Sequence, residues 1–231
     1  MEIIESKEFA AKEKLEIVQS ERVASAGGRK KKGGLGGIPP ALQILGEICS
    51  NFFERTPPMV ETHPFGIFIP PNTQYLFLGT FTGKITDTSY DWFLTTKRNQ
   101  FWQIMSQVYG VKLRNKEEKQ KLFSKLKMAI TDVILACERS QNTNADNNLI
   151  NIVFNIQAIN KVIKNNKIKK IFFSSRYAES LFRKNFKELI KQYPQIELVT
   201  LPSSSPRYAA MSKSEKITRY KKLLPLICED Q

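Results

Sequence analysis

Residues 76–102 read LFLGTFTGKITDTSYDWFLTTKRNQFW, and this stretch decides the fold because it joins a buried strand to a helix through one long loop. The apolar run Gln74–Leu78 predicts a strand that is covered on both faces. Glycine at positions 79 and 83 permits a tight turn and the close approach of another molecule to the backbone. The loop ends in the polar-aromatic cluster Asn99–Trp102, which indicates the start of a helix.

The same alternation of strand and helix continues to the C-terminus. Three further short apolar segments predict strands at Ala129–Leu135, Lys170–Ser174 and Ile196–Leu201. Helical patterns occur at Asn99–Tyr109, Lys116–Lys127, Leu149–Asn165, Arg176–Tyr193 and Ser212–Ile227. Connections of this length predict parallel strands with right-handed crossovers. We therefore expect an α/β fold, a three-layer α/β/α sandwich around a mostly parallel sheet of about four strands.

The residues before this pattern differ in composition. Residues 26–40 read AGGRKKKGGLGGIPP, a basic glycine-rich stretch that is typical of a linker. The prolines of residues 56–72, TPPMVETHPFGIFIPPN, predict an extended segment that leads into the fold. We expect residues 1–40 to be a flexible or helical appendage, and residues 41–231 to form one domain whose core begins at about residue 61.

The basic charge belongs to the expected domain. The chain has 36 Lys and Arg against 22 Asp and Glu, a net charge of +14. Residues 1–60 hold 9 basic and 8 acidic residues, so residues 61–231 hold 27 basic and 14 acidic ones, a net +13. Such an excess favours a polyanionic partner through attraction and counterion release. A basic surface that keeps the protein soluble explains the charge equally well.

Cysteine and histidine content narrows the chemistry. Cys49, Cys137 and Cys228 lack CxxC spacing, so neither disulfides nor a metal site is predicted, and no cofactor is expected. The single histidine, His63, argues against serine–histidine triads and zinc deaminase sites. No apolar run approaches the length of a membrane span. We expect a soluble intracellular protein, in the cytoplasm of a bacterium or archaeon or in the nucleus of a eukaryote.

Two loops are expected to meet at one edge of the sheet. Sites in parallel sheets lie at the carboxyl ends of the strands, which places residues 79–83 beside residues 202–206. The first loop lacks the spacing of a Walker A motif, and the GGLGG at 33–37 follows no strand, so neither is a nucleotide loop. The serines at 203–205 are suited to hold a phosphate oxygen. An ordinary turn followed by a helix cap explains them equally well.

Asn99 stands at the head of the first expected helix. Phe101 and Trp102, which follow it, are aromatic residues of an amphipathic helix and are more often core than ligand platform. Asn99 itself fits a helix cap, but its amide can also face the rim of the sheet. The sequence leaves both roles open.

The order of these motifs resembles the uracil-DNA glycosylase superfamily. GTF at 79–81, KRNQFW at 97–102 and LPSSSP at 201–206 are similar to the family's G-S/T-F-P, N-R-F-W and L-P-S-T-S-P elements and occur in the same order. The resemblance runs from about residue 61 to the C-terminus and includes Lys119–Asp146. It is strongest with the branch of mismatch-type uracil and hypoxanthine-DNA glycosylases.

This resemblance implies a monofunctional DNA glycosylase that acts as a monomer and removes hypoxanthine or uracil from DNA. Such enzymes flip the nucleotide into a pocket, stack its base on an aromatic ring and hydrolyse the N-glycosidic bond. Negative charge grows on the departing base, so the protein chiefly orients water and stabilises that charge.

The resemblance also implies roles for individual residues. It assigns catalysis to Asn99 and Thr80, base binding to Gly79, Phe81, Thr82 and Phe93, and DNA contacts to Ser203, Ser204, Ser205, Arg207, Tyr208, Lys97 and Arg98. Asn99 falls on the asparagine that the branch uses to fix water or to read the base, and its amide can both accept and donate. Phe81 is the expected stacking ring, and Arg207 or Tyr208 is expected to enter the space that the flipped base vacates.

The chain departs from the branch at several positions. Thr82 stands where the branch has a proline, and LTT at 94–96 replaces a tyrosine- or histidine-proline element, which leaves Trp92 or Phe93 to line the pocket. The last loop lacks the histidine of classical members, which predicts low catalytic power on uracil. Two other functions stay open: a catalytically weak or inactive nucleic-acid-binding module on the same fold, and a small-nucleotide or phosphosugar enzyme.

Overall fold

The computed structural model describes residues 60–82, 90–96, 98–141, 143, 145–205 and 207–227. All structural statements below concern these residues. The predictions made for residues 1–40, for Gly83 and for Lys97 lie outside them.

Strands and helices alternate along the described chain. Its strands are β1 (Glu61–Thr62), β2 (Tyr75–Gly79), β3 (Met128–Asp132), β4 (Ile134–Arg139), β5 (Leu149–Phe154), β6 (Lys170–Phe173) and β7 (Glu197–Thr200). Its helices are α1 (Phe101–Tyr109), α2 (Lys116–Lys125), α3 (Ile156–Asn165), α4 (Arg176–Asn185), α5 (Lys187–Gln192) and α6 (Lys213–Leu223). A 3-10 turn at Asp146–Asn148 precedes β5.

The central sheet confirms the predicted fold class. Its four strands lie in the order β3-β2-β6-β7, and each neighbouring pair is parallel. Alternate residues of β2 point to opposite faces: Phe77 packs in a cluster with α1, α2 and α6, whereas Leu76 and Leu78 pack in a second cluster with α3 and α4. Each such fully buried side chain stabilises the fold by roughly 1.5–3 kcal/mol. The result is the expected three-layer α/β/α sandwich.

The predicted strand Ala129–Leu135 is in fact two strands in two sheets. The chain leaves the parallel sheet at Val133, whose N–H donates to Gly79 O at 3.0 Å, and the N–H of Ile134 donates to Thr80 O at 3.1 Å. These bonds turn β4 away into a second sheet of order β1-β4-β5, in which both pairs are antiparallel. Every residue of β3 is buried, and residues 129–135 contain no glycine or proline. The sequence therefore gives no sign of the break between the two strands.

The predicted helix Leu149–Asn165 is wrong over its first six residues, which form β5. This segment pairs with β4, as its isoleucines and valine favour, and only Leu149 at its start is buried. The helix begins only at Ile156. The predicted helix Arg176–Tyr193 likewise divides into α4 and α5 at Phe186, which is buried and stacks on Phe182 at 4.7 Å between ring centres.

Of the proline-rich segment predicted to be extended, residues 60–72 are described, and they contain no helix. It contributes the short strand β1 and an antiparallel bridge between Phe68 and Ile130. Through this path it passes beside β3 and carries His63 towards the carboxyl edge of the sheet. No helix within the described ranges is long and apolar enough to cross a membrane.

Candidate active site

A cavity of about 790 Å³ opens at the carboxyl edge of the parallel sheet. Segments that follow β2, β3, β6 and β7 form its walls together with the head of α1. The lining residues are Thr80, Phe81, Thr82, Tyr90, Leu94, Thr96, Arg98, Asn99, Asp132, Arg139, Thr143, Asp146, Leu149, Ser174, Ser175, Ser203, Ser204, Ser205, Arg207 and Tyr208.

The structure brings most of the residues singled out from the sequence into this lining. They are Thr80, Phe81, Thr82, Arg98, Asn99, Ser203, Ser204, Ser205, Arg207 and Tyr208. Gly79 and Phe93 are not part of the lining, and the roles assigned to all these residues remain predictions.

Gly79 ends β2 against the side chain of Asp132. A Cβ atom at position 79 would lie 2.1 Å from Asp132 Oδ1, far inside a normal contact. Only glycine therefore leaves room for this carboxylate, and its requirement here is steric.

Phe93 lies behind the cavity wall, where its ring stacks on that of His63 at 5.1 Å between centres. Trp92 is also buried and stacks on Trp102, at 5.6 Å. The part of this segment that reaches the cavity is instead Leu94, whose φ of 58° places it in the left-handed region. That conformation costs a leucine on the order of 1 kcal/mol and turns the chain towards the cavity.

The loop after β2 is held from β4 by Arg139. The Nε atom of Arg139 donates to both carboxylate oxygens of Glu61 at 2.9 Å, and its Nη2 donates to Thr82 O at 2.9 Å. The guanidinium carbon lies 5.7 Å from the ring centre of Phe81, within range of a cation–π contact. Arg139 thus fixes both the main chain and the expected stacking ring of this loop.

The serine loop is joined to the head of α1 and to α6. The N–H of Gln100 donates to Ser204 O at 3.0 Å, and the hydroxyl of Tyr220 donates to Pro202 O at 2.9 Å. Burial raises the pKa of Tyr220, so its phenol stays a donor at neutral pH. Ser204 is buried, and these bonds fix the distance between the serine loop and the head of α1.

The neighbouring serines make turn contacts that leave their hydroxyl hydrogens available. Ser203 Oγ accepts from the N–H of Ser205, and Ser205 Oγ accepts from the N–H of Arg207, each at 3.3 Å. An oxygen that accepts in this way can still donate its own hydrogen to a phosphate. The turn and the phosphate-binding roles are therefore compatible.

Lys216 of α6 contacts both the main chain and the ring of Tyr208. The Nζ atom of Lys216 donates to Tyr208 O at 3.2 Å and lies 5.4 Å from the centre of its ring. Burial lowers the pKa of this lysine. Arg207, one residue earlier, is exposed at the rim.

Asn99 stands one residue before Gln100, the N-cap residue of α1, where its side chain binds the first N–H of the helix, and it also lines the cavity. Its Oδ1 accepts from the N–H of Phe101 at 2.9 Å, while its own N–H donates to Thr96 O at 2.8 Å. Its Nδ2 makes no hydrogen bond to the part of the chain that the structure describes. The side chain therefore uses its acceptor in the cap and keeps two donors for a bound molecule.

A buried aspartate–histidine pair, which the sequence does not indicate, adjoins the cavity: Asp132 is part of the lining, and His63 lies behind it. Asp132 stands at the carboxyl end of β3, and its Oδ2 lies 2.8 Å from Nε2 of His63. Only 4% of Asp132 and 7% of His63 is exposed. Nδ1 of His63 accepts from the N–H of Phe65 at 3.3 Å, so the proton of the neutral ring sits on Nε2 and is donated to Asp132.

A second carboxylate, Asp146, lies at the rim. Desolvation by the surrounding protein raises the pKa of Asp146, and the negative charge of Asp132 raises it further. The positive charges of Arg139 and Arg207 lower it in part. Its side chain nevertheless remains exposed. One cavity thus carries two carboxylates in different surroundings, with Asp132 buried and Asp146 exposed at the rim.

Sequence reasoning missed several lining residues, namely Tyr90, Asp132, Arg139, Asp146, Ser174 and Ser175. A signal existed for Asp132, because it is the one charged residue in the apolar run AITDVIL at 129–135. No such signal pairs it with His63, which lies 69 residues earlier. The described residues contain no group of three or more His, Cys, Asp or Glu side chains that could hold a metal ion.

The fold and the cavity together define the class of protein: a three-layer α/β/α sandwich with a polar cavity at the carboxyl edge of its parallel sheet. The structure is similar to the NMR solution structure of a candidate uracil DNA glycosylase from Methanosarcina acetivorans, with a TM-score of 0.51 and 21% sequence identity. The match covers 71% of this chain and 96% of that chain, and it shows a shared fold. No protein-family model and no curated protein matches the chain.

Proposed function

We propose that the chain is a DNA glycosylase that flips a deaminated base, hypoxanthine or uracil, out of DNA and hydrolyses its N-glycosidic bond. The observation that carries this proposal is the meeting of three segments around one cavity: the loop Thr80–Thr82, the head of α1 at Asn99, and the serine loop. The hydrogen bond between Gln100 and Ser204 ties two of them together. The fold shared with a candidate uracil DNA glycosylase supports it further.

The size and charge of the site suit a flipped nucleotide. A cavity of about 790 Å³ is within the usual range for sites that enclose a small ligand. Residues 61–231 carry a net charge of +13, which attracts the DNA backbone. Exposed Arg98 and Arg207 stand at the rim, where the strand would enter.

Each wall of the cavity has a distinct task in this proposal. Phe81, held by Arg139, stacks on the flipped base. The Nδ2 donors of Asn99 bind a carbonyl or ring nitrogen of the base, or the oxygen of the attacking water, and the hydroxyl of Thr80 assists in placing that water. These contacts grow stronger as charge develops in the transition state.

The remaining contacts bind the backbone of the DNA. Ser203 and Ser205 donate hydroxyl hydrogens to the phosphates that flank the flipped nucleotide. Tyr208 or Arg207 fills the space that the base leaves in the duplex. Lys216 keeps Tyr208 in position for this.

A second candidate is a nucleic-acid-binding module that lacks strong catalysis. The observation in its favour is that Thr80 offers only a hydroxyl and that the Oδ1 of Asn99 is already used in the helix cap. Neither group can take a proton from water at neutral pH.

The test is incubation with duplexes that contain a single uracil, hypoxanthine or xanthine, with the protein in excess, followed by alkali to cut abasic sites. The glycosylase predicts strand cleavage at the modified position in at least one duplex and none in the unmodified duplex. Binding without cleavage supports the module, and a protein that does not bind DNA contradicts both candidates.

A further inference from the structure

We propose that Asp132 accepts the proton of the attacking water and that His63 is the positioning residue that holds its carboxylate. This inference rests on the proposed glycosylase function. It supplies a proton acceptor, which neither the loop Thr80–Thr82 nor Asn99 contains.

Asp132 is built into the cavity by the sheet itself. Its Oδ1 lies over Gly79, where even a methyl group would clash, so the carboxylate stands directly beside the loop after β2. Main-chain bonds from Val133 and Ile134 to that loop fix the distance between the two. The amide of Asn155 donates to Asp132 O at 3.2 Å and fixes the other side.

His63 binds only one of the two carboxylate oxygens. Its Nε2–H donates to Oδ2, while the N–H of Phe65 keeps the ring in that tautomer. The rings of Phe81 and Phe93 pack against the imidazole and limit its movement. A carboxylate held through Oδ2 keeps Oδ1 available to accept from water.

A structural role alone does not explain this pair. Burial removes the hydration of a carboxylate, which costs free energy of folding. An apolar residue could fill the end of β3 without this cost. The titratable and charged groups that face this part of the cavity are His63, Asp146, Arg139 and Arg207, and the guanidinium of Arg139 is committed to Glu61 and to the main chain of Thr82. Asp146 is exposed at the rim, whereas Asp132 stands beside the loop after β2 with its Oδ1 over Gly79, so Asp132 is the better placed proton acceptor.

The proposed step balances without a further reactant. The water oxygen forms a bond to C1′ of the flipped nucleotide as the N-glycosidic bond breaks. The electron pair of that bond leaves with the base nitrogen, and the water proton passes to Oδ1 of Asp132. The base then takes a proton from solvent, and Asp132 loses its proton to solvent before the next turnover.

The first test is Asp132→Asn, measured as the single-turnover rate on the best cleaved duplex. Asparagine keeps the shape and can still accept from Nε2–H of His63, so the protein is expected to fold, as its melting temperature will show. The rate should fall by roughly a hundredfold or more, the usual contribution of a general base. The matched control is Glu188→Gln, which makes the same charge change at an exposed position of α5 and should leave the rate unchanged.

The second test does not depend on cleavage. A duplex that carries a cationic pyrrolidine in place of the deoxyribose imitates the positive charge at C1′, and a neutral tetrahydrofuran duplex is its control. Wild-type protein should bind the cationic duplex at least tenfold more tightly, and Asp132→Asn should lose most of this preference, because the inference requires the carboxylate beside the position of C1′.

His63 is tested by two variants. His63→Phe fits among the aromatic rings but removes the donor to Asp132, whereas His63→Gln keeps an N–H donor. The inference predicts a slow rate in the Phe variant and partial rescue in the Gln variant, when the melting temperatures of both show folded protein.

The outcomes separate this inference from the proposed function. Wild-type protein that cleaves none of the modified duplexes overturns the function. If Asp132→Asn cleaves at the wild-type rate, with the same or another preferred base, the inference is overturned and the proposed function still stands. Equal affinity of wild type and Asp132→Asn for the cationic duplex also overturns it.

Discussion

Asn99→Ala is the substitution that best separates architecture from chemistry at this site. In the structure the Asn99 side chain has two parts: Oδ1 caps the N–H of Phe101 at 2.9 Å, and Nδ2 is left for the ligand. Alanine removes both. Loss of the cap should lower the free energy of unfolding by about 1 kcal/mol, which is a fall of roughly 2–4 °C in melting temperature for a domain of this size.

Loss of the Nδ2 donors should act on the rate. A positioned donor whose partner gains charge in the transition state contributes on the order of 3 kcal/mol, so single-turnover cleavage should slow by roughly a hundredfold, with DNA affinity much less affected. Asn99→Asp supplies the matched control, because its carboxylate still caps Phe101 and only the donors are lost. It should keep the melting temperature, slow cleavage and alter which base is preferred.

The assay is the single-turnover rate and the melting temperature of the same three proteins. An Asn99→Ala protein with a lowered melting temperature and an unchanged rate would mean that Asn99 is only a helix cap. In that case the binding-module function would replace the glycosylase.

Three further predictions follow from charge and packing. Removal of residues 1–40 should leave melting temperature and DNA affinity unchanged, because this nearly neutral segment contributes little to either; a truncated protein that fails to fold contradicts this. DNA affinity should fall steeply between about 50 and 200 mM salt, and an affinity insensitive to salt in a fluorescence anisotropy titration would indicate a small-molecule ligand instead. Arg139→Lys should lower the free energy of unfolding, measured by urea denaturation, by about 2 kcal/mol, because lysine cannot bind Glu61 and Thr82 O together. The control Arg183→Lys, in an exposed ion pair, should change it by less than about 0.5 kcal/mol.

The parallel sheet could be predicted from the sequence because its strands are short, apolar and separated by helical patterns. Gln74–Leu78 and Lys170–Ser174 were placed within one residue of β2 and β6. The antiparallel sheet could not be predicted. Its strand β4 continues an apolar run without punctuation, and β5 leads into a helix at Asn155 with no glycine or proline between them. Pairing decides both, because β4 pairs with the distant β1 and β5 pairs with β4, and no local pattern encodes these partners.

Part of the candidate site could likewise be predicted from the sequence, and part could not. Loops after parallel strands lie at one edge whatever their sequence, so topology predicts that the loop after β2 and the serine loop line the same cavity. The pair of His63 and Asp132 depends on where an extended segment 69 residues away passes the sheet. A single histidine argues against serine–histidine triads and zinc deaminase sites, but it does not reveal that the histidine lies against a carboxylate that lines the cavity.

The most direct test of the central claim is release of free base from DNA. Full-length protein in excess is incubated at low salt with duplexes that contain one hypoxanthine or one uracil, and the small molecules and the strand are both identified by mass spectrometry. The account predicts free hypoxanthine or uracil together with an intact strand that carries one abasic site. Tight binding of these duplexes with no free base after prolonged incubation would contradict it.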